Sequence, residues 1–148
     1  MPHLFRLLLP ALILPTLAVA ADNDPLATLR PGHPRLLLTP EAMAEMRAAA
    51  ANDPLNAEFQ RQLIQAAEAQ LNEPPIEYRL VGPRMLHQSR KALAHITTGA
   101  MAFKLTGDPR FAQHAREVML TAAGFPDWNP SHFLDVAEMA TALGLGYD

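Results

Sequence analysis

Between Phe125 and Asp148 the chain reads FPDWNPSHFLDVAEMATALGLGYD, its densest run of groups able to do chemistry. Trp128 offers a flat apolar face on which a sugar ring can stack, and Asn129 an amide that can hydrogen-bond to it. His132, Asp135 and Glu138 recur every three residues, so on a helix begun at Asn129 or Pro130 they share one face. The start of such a helix also presents unpaired N–H groups, which can hold an anion such as a sugar carboxylate or sulfate. Two readings follow. In one, the polar stripe lines a cleft wall. In the other, Asp135 and Glu138 bond neighbouring helices or loops and His132 is a satisfied first-turn histidine.

Other chemistries find less support. The spacing His-x-x-Asp-x-x-Glu is not a strong metal-ligand pattern, and with no cysteine a thiolate-held metal is excluded. There is no glycine-rich phosphate loop, no nucleophile elbow and no plausible Ser/His/Asp set. His33 lies in a proline-rich leader, and His87, His95 and His114 read as surface or helix-packing residues. No cofactor is expected.

These groups must be positioned by helices. The chain has 148 residues, 49% of them hydrophobic and only 6% aromatic, with alanine and leucine dominant. This composition suits one helical domain with a buried core and argues against intrinsic disorder. Thr39-Pro40-Glu41 predicts a helix start by hydroxyl cap, proline in the first turn and an early acid, with an end near Asn52. Asp53-Pro54 repeats the signal, and Leu55, Phe59, Leu63, Ala66, Ala67 and Leu71 mark one face of a helix reaching about Asn72. Pro74-Pro75 stops it, and residues 73–88 read as an extended connector turning at Gly82-Pro83.

Ser89 is the expected cap of a third helix through Ala92, Leu93, Ile96, Ala100 and Phe103. Gly99 inside it costs about 1 kcal/mol relative to alanine, which close helix packing would offset. Thr106-Gly107-Asp108-Pro109 ends that helix and starts a fourth carrying Phe111, Ala115, Val118, Met119 and Ala122, an antiparallel hairpin. The fifth helix, from about Asn129, is apolar almost all round and is expected to be wrapped by others. No segment alternates like a strand. The fold expected is all-α, with helices paired in sequence.

Residues 1–20 carry Arg6, then an apolar run from Leu7 to Val19 and the triplet Ala18-Val19-Ala20, the layout of a cleaved secretory signal peptide. The run is too short for a spanning helix, which needs roughly 20 residues, and is broken by Pro10 and Pro15. The expected organisation is a signal at 1–20, a leader at 21–38 and a helical domain from 39 to 148. The mature chain is expected to be periplasmic or secreted, with no stable membrane anchor. Without the signal, eleven basic residues face fifteen acidic ones, which argues against nucleic-acid binding. Only the local cluster Arg79, Arg84, Arg90 and Lys91 could favour a polyanion.

Three blocks, HPRLLLTPEAMAEMR at 33–47, KLTGDPRFAQHA at 104–115 and the run from Phe125 to Asp148, resemble the N-terminal half of heparinase II/III-like polysaccharide lyases. The resemblance spans residues 33–148 and is most specific in its last block. It implies an incomplete (α/α) toroid of helical hairpins followed by β-sandwich domains, and β-elimination on an acidic polysaccharide such as a glycosaminoglycan or alginate. In that reaction a base removes the proton α to a uronate carboxylate and the glycosidic oxygen departs from the adjacent carbon. The family's catalytic Asn or His and Tyr/His pair come from later segments, so the resemblance implies that catalytic residues lie beyond Asp148. Tyr147 is not assigned such a role. Trp128, Asn129, His132 and Glu138 carry over as candidate substrate-side or scaffold residues.

The apolar last helix leads to the expectation that the chain is a fragment, inactive alone. A hydrolase on a similar toroid would need paired carboxylates, but Asp135 and Glu138 lie too close on one helix to straddle a bond. A non-catalytic glycan-binding module is the other alternative.

Overall fold

The structure is a computed structural model that describes residues 24–148, so the expected signal segment at 1–20 lies outside the described residues. Residues 24–30 form a small unit of their own, a turn in which Asp24 Oδ1 accepts the N–H of Leu26. Residues 31–148 form the helical unit. It holds α1 (Pro40–Asn52), α2 (Pro54–Gln70), α3 (Leu86–Thr106), α4 (Pro109–Ala123) and α5 (Phe133–Tyr147). No strand occurs among the described residues beyond an isolated bridge between Val81 and Arg84. The protein is all-α.

Local caps explain three of the five starts. Thr39 Oγ1 accepts from Ala42 N at 3.3 Å with Pro40 in the first turn. Asp53 closes α1 by donating its N–H to Ala49 O and opens α2 by accepting from Leu55 N at 2.9 Å. Asp108 accepts from Arg110 N at 2.9 Å to start α4, while Gly107 ends α3 in the left-handed region at φ 76°.

The other two starts differ from expectation. α3 begins at Leu86, before Ser89, because Gln88 N and Ser89 N already donate to Met85 O. The Ser89 hydroxyl is turned inward instead of capping. α5 begins at Phe133, after a turn in which His132 N donates to Asn129 O at 2.9 Å. Asn129 has φ 53°, a left-handed conformation that asparagine tolerates and that stops a helix from running through it.

α3 is the shared element, packing against each of the other four helices. Around one part of it cluster Met85, Ala92, Ile96, Val118, Ala122, Met139 and Ala142, together with Ile76 of the connector. Around another cluster Ala67, Ala102 and Phe111, with Leu63, Ile64 and Phe103 against them. A Cβ on Gly99 would lie 3.0 Å from Phe111 O and 3.3 Å from Ala115 Cβ, so α3 and α4 meet there backbone to backbone. The expected compensation for a mid-helix glycine is therefore in place.

One expected packing changes. α5 buries Asp135, Met139 and Ala142, but Phe133 and Tyr147 are each 75% exposed, so it is covered on one side rather than wrapped. The leader is held mainly by polar contacts, since Leu36 and Leu37 are exposed. Asp148 accepts from Arg35 N at 2.7 Å and from Leu36 N at 2.8 Å, and its Oδ1 lies 3.2 Å from His33 Nδ1. The Tyr147 ring meets the His33 ring edge to face at 5.0 Å.

Replacing Gly99 by Leu drives a branched side chain into the α4 backbone, and overpacking of this kind costs about 1–3 kcal/mol. The urea midpoint of Gly99→Leu is expected to fall without a change in slope; an unchanged midpoint would refute the close approach.

Candidate functional site

The loop between α4 and α5 is built around one carboxylate. Asp135, in the first turn of α5, is fully buried. Its Oδ2 accepts from Met85 N at 2.7 Å and from Asn129 Nδ2 at 2.7 Å. The same oxygen lies 3.3 Å from His132 Nδ1, near enough for charge attraction but not aligned as a hydrogen bond. Burial alone would raise the Asp135 pKa, yet the N–H donors from Met85 and Asn129, together with His132, outweigh it and hold the carboxyl below its ordinary value. Asp135 Oδ1 has no hydrogen-bond partner.

Asn129 is the second hub. Besides Asp135, its Nδ2 donates to Pro83 O at 2.9 Å, and its Oδ1 accepts from Ser131 Oγ at 2.7 Å. Its backbone N–H donates to Asp127 Oδ1 at 2.8 Å, and the same oxygen accepts from Tyr78 Oη at 2.9 Å. Tyr78 in turn stands edge to face against Phe125 at 5.7 Å. The strained φ at Asn129 is thus over-determined by five polar contacts.

Trp128 is half-buried, packs against the Met85–Met139 cluster and donates its indole N–H to Ala122 O at 2.9 Å, one of the last carbonyls of α4. Glu138, one turn along α5 from Asp135, accepts from Ser89 Oγ at 2.5 Å and from Arg90 Nε at 3.2 Å. Among the four candidate residues, His132 alone keeps an uncommitted ring nitrogen, Nε2, while its Nδ1 is buried. Asp135 and Glu138 therefore face one way, toward α3 and its N-cap, while His132 lies against Asp135. What the stripe does chemically in this geometry is to bind the protein to itself.

The cationic cluster is also largely spent. Arg79 pairs with Glu77 at 3.5 Å, Arg90 with Glu138 at 3.2 Å and Lys91 with Glu73 at 3.1 Å. Among the described residues no group of three or more metal-ligating side chains converges.

A second polar chain was not foreseen. Glu73 Oε2 lies 3.3 Å from His95 Nε2, and His95 Nδ1 lies 3.0 Å from His114 Nε2. His95 is 3% exposed, and burial holds its pKa below the ordinary value against the pull of Glu73. A neutral His95 that donates to Glu73 and accepts from His114 satisfies both of its own ring nitrogens. Two histidines nineteen positions apart on separate helices carry no local sequence signal of such pairing.

No family model matches the chain, and no curated protein matches it significantly.

Removing the Asp135 side chain orphans two buried donors, Met85 N–H and the Asn129 amide, at about 1–3 kcal/mol each. Asp135→Ala is expected to lower the unfolding free energy by about 3 kcal/mol or more in urea titrations. Because the folded pKa lies below the unfolded value of about 3.9, this carboxylate stabilises fully above that pH. Its contribution fades as pH falls through the lower folded value. Asp135→Asn should therefore lose less stability than wild type between pH 5 and about 2; parallel acid limbs would refute an ionised Asp135.

Proposed function

We propose that the chain is the N-terminal helical part of an exported polysaccharide lyase that acts on uronate-containing polysaccharides by β-elimination, its hairpins belonging to an (α/α) toroid. What carries the reading is the similarity of the three sequence blocks to heparinase II/III-like lyases. One observation supports it: each block forms a joint between helices or between a helix and the leader. Asp148 of the last block binds the backbone of Arg35 and Leu36 in the first. Asp108 of the middle block starts α4 by accepting from Arg110 N. The last block also fixes the start of α3 through the bond from Met85 N to Asp135. Consecutive contacting helix pairs α1–α2 and α3–α4, each joined by a short turn, are units of the kind from which a helical toroid is assembled.

The same geometry limits the site. Trp128, Asn129 and Glu138 serve as scaffold, and His132, with Nε2 uncommitted, is the one of the four positioned to meet a saccharide. The base and acid of the elimination are supplied by residues outside 24–148, and the chain alone does not turn over substrate. Acidic polysaccharide is the partner in this reading, in the periplasm or outside the cell.

The test is an ultraviolet assay on the product of the whole open reading frame containing these codons, with alginate and glycosaminoglycans as substrates. Elimination leaves an unsaturated uronate that absorbs. New reducing ends without absorbance would make the protein a hydrolase, and binding without either product would make it a glycan-binding module. A frame that stops after codon 148 would remove the enzyme assignment.

A further inference from the structure

A cavity of about 520 Å³ opens between residues 34–38 and the neighbouring faces of α3, α4 and α5. Its walls are mostly apolar, with Leu38, Met101, Phe103, Met119 and Leu145 prominent. The polar groups that border it divide into spent and unspent. Thr97 Oγ1 donates to Leu93 O at 2.7 Å, and the Asp148 carboxylate is engaged by the leader N–H groups. Lys104 and Arg116, by contrast, line the cavity with no carboxylate partner. Arg47, outside the cavity lining, donates its guanidinium N–H to Lys104 O at 2.9 Å.

That grouping runs against the rest of the molecule. The chain carries a formal charge of −3, and elsewhere its cations are mostly paired: Arg61 with Glu58, Arg79 with Glu77, Arg90 with Glu138, Lys91 with Glu73, Arg110 with Asp108 and Glu68. Unpaired cations beside an apolar cavity match a ligand with a negative head and a hydrocarbon body. A sugar fits poorly, since each hydroxyl pushed against these walls would lose its hydrogen bonds to water. A neutral hydrocarbon would fill the walls but leave the cations without a counter-charge.

We propose that this cavity, whose size lies in the range of small-ligand pockets, binds a single-chain amphiphilic anion, a free fatty acid. The hydrocarbon chain lies among Leu38, Met101, Phe103, Met119 and Leu145, and the carboxylate meets Lys104 and Arg116. This site is separate from the Asp135 network.

The experiment is calorimetric titration of the full chain with decanoate, decanol and decyltrimethylammonium, each below its micelle concentration. Two variants accompany it: Lys104→Glu/Arg116→Glu, and Ala100→Trp, which fills the cavity from α3. Circular dichroism checks that both remain helical. Decanoate is expected to bind one to one, about tenfold tighter than decanol, a factor of the size one well-placed charge contact supplies. The charge reversal should remove that advantage and leave decanol unchanged, whereas Ala100→Trp should weaken both. No binding, equal affinity for all three amphiphiles, or decanoate binding that survives the charge reversal overturns the proposal. So does association with anionic vesicles without binding of monomeric decanoate. If Ala100→Trp unfolds, the charge reversal and the three-ligand comparison still decide.

Discussion

A carboxylate removed from water must be answered by donors, and Asp135 is answered by one from its own loop and one fifty positions away, with His132 close by. Met85 N opens α3, Asn129 Nδ2 fixes the loop before α5, and His132 stands at the α5 start. Breaking such a group's contacts costs far more than the net worth of making them, because the charge remains buried when a partner leaves. The consequence is geometric. The bond from Met85 N ties the start of α3 to the first turn of α5, and the left-handed Asn129 precedes the turn from which α5 begins. The two helices are locked in register by one side chain. Since α3 packs on the other four, the position of each inherits that register.

Asp148 repeats the device at the other end of α5. There a carboxylate again accepts backbone N–H groups, from Arg35 and Leu36, and opposing burial is again outweighed so that its pKa is lowered. An aliphatic anchor would have bound the leader without direction. Backbone N–H groups aimed at a carboxylate fix its path as well. This explains why Leu36 and Leu37 remain exposed although they form the most apolar stretch of that segment.

Helix starts legible in the sequence are those whose cap is local. Thr39, Asp53 and Asp108 each lie within three residues of the N–H they accept, so residue type and spacing suffice to locate α1, α2 and α4. At α3 the N-cap Met85 has no capping side chain and its own N–H is bound by Asp135, 50 positions away, a contact that no local pattern announces. The later α5 start has a different cause: a helix is expected from Asn129 or Pro130, but Asn129 adopts φ 53° and residues 129–132 make a turn instead. That His132, Asp135 and Glu138 share an orientation was readable from their spacing. That Asp135 and Glu138 bond a neighbouring helix was one of the two readings their spacing left open; that the neighbour is α3 was not readable, because the partners lie some fifty positions away.

The inward orientation bears on what the Phe125–Asp148 block means. Dense polar residues in an apolar helix are conventionally suspected of chemistry, and here the suspicion meets a competing demand. An (α/α) hairpin series has no strand ladder to fix register, and apolar faces alone slide at small cost. Directional bonds are what specify one arrangement, and they must be buried to be strong. Asp135, Asn129, Ser89, Glu138 and the Trp128 indole supply those bonds at successive points between α4, α5 and α3. A saccharide competing for any of these groups would loosen the helices that present it. The groups free to meet a ligand without that penalty are those outside the network: His132 Nε2 at its margin, and the unpaired cations at the other end of α5.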